Sequence, residues 1–154
     1  MTDHLENSSS SFGSEPLDKM VARLKSTEDP RKRYEYVLWL GKKLSPLPQE
    51  FQIDQYQVKG CVSKVFVCGK LVDGRIHWTG ESDALITKGL LALLIIGLDE
   101  LTPEQVGAVD PSFISATGLQ GSLTPSRANG FLNILLNMKD QALQLSRGIA
   151  PLAK

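Results

Sequence analysis

Cysteine is scarce in this chain, with two in 154 residues. Two cysteines cannot build a disulfide framework, and neither stands in a C-x2-C pair of the kind a structural zinc site uses. Excess charge of either sign is also missing: 17 basic and 17 acidic residues leave a formal net charge of +0. That balance argues against nucleic acid or an anionic membrane as the main partner, since both select basic surfaces. Long apolar runs are absent. The longest, residues 89–98, falls short of the roughly 20 residues that cross a bilayer. No secretory signal opens the chain, so its thiols are expected to stay reduced in the cytoplasm. There is no glycine-rich phosphate loop at a strand-to-helix turn, and no internal repeat. Histidine is as rare as cysteine, and nothing marks an oxyanion hole for a Cys-His hydrolase. Cys61, Cys68, His77 and Asp83 are the candidate metal ligands, but their spacing is not that of a metal site. The expectation is no metal and no organic cofactor.

What is present fits one domain. Hydrophobic content of 42% and charged content of 22% are those of a globular protein. Residues 1–15 hold a serine run without an apolar core and read as a disordered tail, leaving residues 16–154 as the domain. Residues 17–27 form an amphipathic helix. Asp29 and Pro30 start a second that runs to about residue 44. A long irregular connection, residues 45–58, follows. Residues 63–72 and 75–79 alternate as strands about an Asp73-Gly74 turn, and residues 55–58 offer a third. Residues 84–98 are apolar on nearly all sides, as in a buried helix, with Ser82 or Asp83 as its cap. Thr102 to Gln105 has capping-box form. A short helix starts at Asp110-Pro111, and a last one runs from Thr124-Pro125 to Gly148. The class is α+β: a small antiparallel three-stranded sheet against a central buried helix, with further helices outside.

The chemistry points to one stretch, Val58-Lys59-Gly60-Cys61-Val62-Ser63-Lys64-Val65-Phe66-Val67. Cys61 lies on the loop that feeds a strand, beside the permissive backbone of Gly60. Lys59 and Lys64 add positive charge that would favour the thiolate. A lone cysteine can equally be a small buried hydrophobe. Cys61 and Cys68 are too far apart along a strand to form a disulfide. What remains is one loop thiol and no machinery to use it alone, which suggests a carrier of something on sulfur. The rival reading is a stand-alone thiol-dependent enzyme, a peroxidase or hydrolase.

Three blocks resemble the SufE family: the cysteine loop above; Gly80-Glu81-Ser82-Asp83-Ala84 with Lys88-Gly89-Leu90; and Leu123-Thr124-Pro125-Ser126-Arg127 with Gly130. The family usually has tryptophan where Phe66 stands, and often glutamine at Val62 and Lys64. The resemblance implies an α+β fold shared with iron–sulfur scaffold proteins of the IscU type. It implies that Cys61 accepts sulfane sulfur from a pyridoxal-phosphate cysteine desulfurase of the SufS type, stimulating it, and passes the sulfur to a SufB-containing scaffold. Lys59, Gly60 and Ser63 would then support the loop, and Asp83 and Arg127 would contact the partner. Asp83 could instead only cap a helix, and Arg127 only pair locally. A homodimer is left open.

Overall fold

A computed structural model describes residues 11–148. Helix α1 (Glu15–Ser26) and helix α2 (Pro30–Gly41) open the fold, each with a proline in its first turn. Ser14 caps α1 by accepting from the amide of Leu17, and Asp29 caps α2 by accepting from that of Arg31. Two short 3-10 turns, Gln49–Phe51 and Asp54–Tyr56, carry the chain to strand β1 (Val65–Val72). Asp73 and Gly74 turn it into strand β2 (Arg75–Ser82). Both turn residues have positive φ, 52° and 81°, as the tightest hairpin turn demands. Helix α3 (Leu85–Leu98) follows, then the short α4 (Pro103–Gly107) and α5 (Phe113–Ala116), then the long α6 (Pro125–Ser146).

Helix α3 is the centre, as its apolar sequence requires: Leu90, Leu91, Leu93, Leu94 and Leu98 are fully buried. It packs against β2, α1, α2 and α6. Gly89 lets α2 approach it, because a Cβ there would strike the carbonyl of Val37. Among the described residues, no helix is long and apolar enough to cross a membrane.

The sheet has two strands, not the three expected. The segment offered as the third meets β1 at a single bridge, Gln57 to Phe66, with the Val58 amide donating to the Val65 carbonyl at 2.8 Å. Opposite Val67 to Gly69, on the upstream side of that bridge, the chain forms the 3-10 turn Asp54–Tyr56 instead of a strand. A side chain takes over the ladder: the buried carboxamide of Gln141 on α6 donates to the Val67 carbonyl at 2.9 Å and accepts from the Gly69 amide at 3.0 Å. Backbone groups facing a buried edge must be paired, and Gln141 pairs two of them without a strand.

Three further expectations are corrected. The expected tail reaches residue 15, but Phe12 and Ser14 belong to the fold. The Phe12 amide donates to Asp18 at 2.7 Å, and the Ser14 hydroxyl donates to the Gly97 carbonyl at 2.5 Å. Residues 1–10 lie outside the described part. Helix α2 stops at Gly41 rather than residue 44. Neither Ser82 nor Asp83 is the N-cap of α3; that residue is Ala84, with no side-chain bond.

Candidate functional site

Cys61 sits half-buried between Gly60 and the first turns of α6. Gly60 has φ +81°, and a Cβ on it would collide with the side-chain amide of Asn133. Glycine is therefore required twice, by the turn and by the close approach. The Asn133 amide donates to the Gly60 carbonyl at 2.9 Å, fixing the chain just before the cysteine. The Cys61 Sγ then lies against Gly130, donating to its carbonyl at 3.7 Å. A Cβ on Gly130 would lie at ordinary contact distance from the sulfur, 3.5 Å.

Just beyond the cysteine a polar cluster holds the loop. Arg127, in the first turn of α6, donates from Nη1 to the Ser63 hydroxyl at 3.0 Å and to the Thr87 hydroxyl of α3 at 2.6 Å. The two hydroxyls are 3.4 Å apart. Among the described residues Arg127 forms no ion pair, so its charge is not cancelled. One residue on, Asp83 grips the backbone of Lys64 at both ends: its carboxylate accepts from the Lys64 amide at 3.0 Å, and its own amide donates to the Lys64 carbonyl at 3.2 Å. The loop is thus pinned to α6, α3 and the end of β2.

The cleft so formed is small, about 10 Å³, room for roughly one water. Its lining of Cys61, Ser63, Thr87, Arg127 and Gly130 includes hydroxyls and a guanidinium but neither imidazole nor carboxylate. Burial pushes the Cys61 thiol above its ordinary pKa. The expectation that Lys59 and Lys64 would favour the thiolate is therefore corrected. Both lysines are exposed, where water screens their charge. Lys59 takes no part in the bonds that pin the loop.

Of the residues singled out from sequence, the structure brings Cys61, Gly60, Ser63 and Arg127 together and ties Asp83 to the same loop. Thr87, Gly130 and Asn133 complete the site. Gly130 appeared only within a motif; Thr87 carried a signal as a hydroxyl inside an otherwise apolar helix, and Asn133 as an amide one turn beyond Gly130. Cys68 is fully buried on β1, its thiol raised by burial. It neighbours the Tyr56 hydroxyl, which burial, reinforced by this thiol, pushes up to about 12. The candidate metal ligands do not converge. Among the described residues His77 gathers instead with Asp99 and Glu100, their ligand atoms within 4.8 Å of one another. That trio is partly exposed and shares no residue with the cysteine cleft.

A family model described as "SufE: Fe-S metabolism associated domain" matches residues 18–142. An uncharacterized SufE-like protein of Synechocystis sp. is 51% identical over 86% of this chain and 83% of its own. A SufE-like protein 1, chloroplastic/mitochondrial, of Arabidopsis thaliana is 38% identical over 84% of this chain and 35% of its own. A cysteine desulfuration protein SufE of Plasmodium falciparum is 40% identical over 80% and 52%. The chain therefore spans most of the Synechocystis relative but only about a third to a half of these other two. The solution structure of a hypothetical protein from Thermus thermophilus matches with a TM-score of 0.76 at 25% identity, over 87% of this chain and 98% of that one.

Proposed function

This chain belongs to the SufE family, and from that premise we propose that Cys61 is a sulfur acceptor. It takes sulfane sulfur from a cysteine desulfurase of the SufS type and delivers it to a SufB-containing scaffold for iron–sulfur cluster assembly. The observation that carries the reading is a pinned, half-buried thiol beside Gly60, in a cleft without an acid or base. Such a group has no means of activating a small substrate, but a partner can supply sulfur already activated.

The chemistry is an exchange. The Cys61 thiolate attacks the outer sulfur of a persulfide on the desulfurase. A bond forms between the Cys61 Sγ and that sulfur. The sulfur–sulfur bond on the desulfurase breaks, and its cysteine leaves as a thiolate. The acceptor ends as a persulfide, with no net oxidation or reduction. Arg127, charged and without an ion-pair partner among the described residues, lines the cleft, where it favours the approach of anionic sulfur. Asp83 serves by holding the loop's far end, and its exposed carboxylate is available to a partner.

The test is incubation with a SufS-type desulfurase and free cysteine, followed by mass spectrometry. Wild-type protein should gain the mass of one sulfur, mapped to Cys61 and removed by reductant. Turnover of a peroxide or ester without any desulfurase would favour a stand-alone enzyme instead.

A further inference from the structure

The cleft around Cys61 is too small to hold a partner protein by itself. The first turn of α3 leads from it to a larger surface. Thr87 faces the cleft. Leu85 and Lys88 of the same turn join Leu38 and Trp39 of α2 and its C-cap Lys42 around a groove of about 460 Å³. Trp39 is 49% exposed and Leu85 77% exposed, unusual for such large apolar side chains in neighbouring positions.

Trp39 forms a ridge. On its far side Arg23, Lys32 and Tyr36 border a second hollow of about 410 Å³. Tyr36 stacks on Trp39 with ring centres 5.7 Å apart, Lys43 lies 4.4 Å over the Trp39 ring, and Arg23 lies 4.8 Å over that of Tyr36. The exposed tryptophan is thus held in place rather than left to rotate. A chain with no net charge gathers Arg23, Lys32, Lys42 and Lys43 around this ridge, against Glu35. A rigid tryptophan with tyrosine and arginine beside it has the composition of an interface centre, and the lysines place charge at its rim.

We propose that the Trp39 ridge is the surface on which the desulfurase docks, through a segment carrying acidic side chains and one bulky apolar group seated between Trp39 and Leu85. The proposal rests on the sulfur-acceptor reading above. It follows from two observations: the basic ring selects an acidic partner, and the groove shares the first turn of α3 with the sulfur-transfer cleft. A partner held there has the thiol loop beside it.

The experiment measures affinity and transfer separately, on the full-length protein with a SufS-type desulfurase. Affinity comes from titration at low and at physiological salt. Transfer comes from sulfur loading of Cys61 at saturating desulfurase. Trp39→Ala and the double reversal Lys42→Glu with Lys43→Glu should each raise Kd about tenfold, and the wild-type affinity should fall with salt. Loading at saturation should match wild type, and near-UV circular dichroism should show the fold kept. Unchanged Kd in both variants overturns the docking site and leaves the acceptor reading standing. Failure of the wild-type protein to be loaded at all overturns both. If sedimentation shows a dimer that Trp39→Ala dissociates, with desulfurase affinity unchanged, the ridge binds a second copy and the proposal is overturned.

Discussion

At Cys61 the fold holds a thiol in its neutral form. Burial disfavours the thiolate, so its titration moves upward. In the free protein, alkylation of Cys61 should therefore stay slow at neutral pH. It should keep rising above pH ~8.5, where an unperturbed thiol is already half ionised; a rate that levels off below that pH contradicts the burial of this side chain. Cys61→Ser should abolish sulfur acceptance and Cys68→Ser should leave most of it, checked by mapping the persulfide; sulfur found on Cys68 would reverse the assignment. Arg127 holds the loop that carries this thiol, through Ser63 and Thr87. Arg127→Ala should cost roughly 1–3 kcal/mol in stability, the worth of two charge-assisted bonds partly replaced by water. It should raise the alkylation rate by loosening the loop, yet slow transfer from the desulfurase. Faster alkylation together with unchanged transfer would make Arg127 purely structural.

The elements divide by how local their causes are. Three helix starts were legible because a cap is a property of a few adjacent residues. Asp29-Pro30, Thr102 with Gln105, and Thr124-Pro125 each begin a helix as read. The hairpin turn was legible for the same reason. The third strand was misread because what completes the edge of β1 is a side chain more than seventy residues away, Gln141. Nothing near residue 57 announces that. The tail boundary failed similarly, since Ser14 is held by the Gly97 carbonyl across the fold. Gln141 yields a direct test. Gln141→Ala strips partners from a buried carbonyl and a buried amide at once, and should cost about 2–4 kcal/mol. Gln141→Leu fills the same space without either bond, so it should be destabilised comparably. If thermal unfolding shows Gln141→Leu as stable as wild type, packing rather than pairing is what this residue contributes.

At the scale of the whole molecule, the cysteine loop is where three independently placed parts meet. The end of β2 holds it through Asp83, α3 through Thr87, and α6 through Arg127, Gly130 and Asn133. Sequence disclosed the thiol and the glycine beside it, because those lie in one stretch. Asp83 and Arg127 were named only through the family resemblance and Thr87 and Asn133 not at all, because what they hold depends on how α6 packs across α3 and β1. The loop is thereby given a sheltered state that a bound persulfide would need, since small thiols remove exposed persulfides by the exchange that makes them. Transfer needs the reverse, a sulfur that reaches into a partner. The bonds that must break are few and sit at the loop's two ends, so a partner that favours the extended state by a few kcal/mol can shift the balance. Asn133→Ala removes one pin and nothing else near the sulfur. It should speed hydrogen exchange across residues 57–63 in the free protein with little change in unfolding temperature. Gly60→Ala acts oppositely on the fold: positive φ and the collision with Asn133 should together cost roughly 1–3 kcal/mol. Adding a desulfurase that lacks its own nucleophilic cysteine should speed exchange in the same residues of the wild-type protein, without any chemistry taking place. The Asn133→Ala protein, already loosened, should then show a smaller increase. If free and bound wild type exchange identically across this segment, the loop does not open on docking, and the partner must reach a thiol that stays where the structure places it.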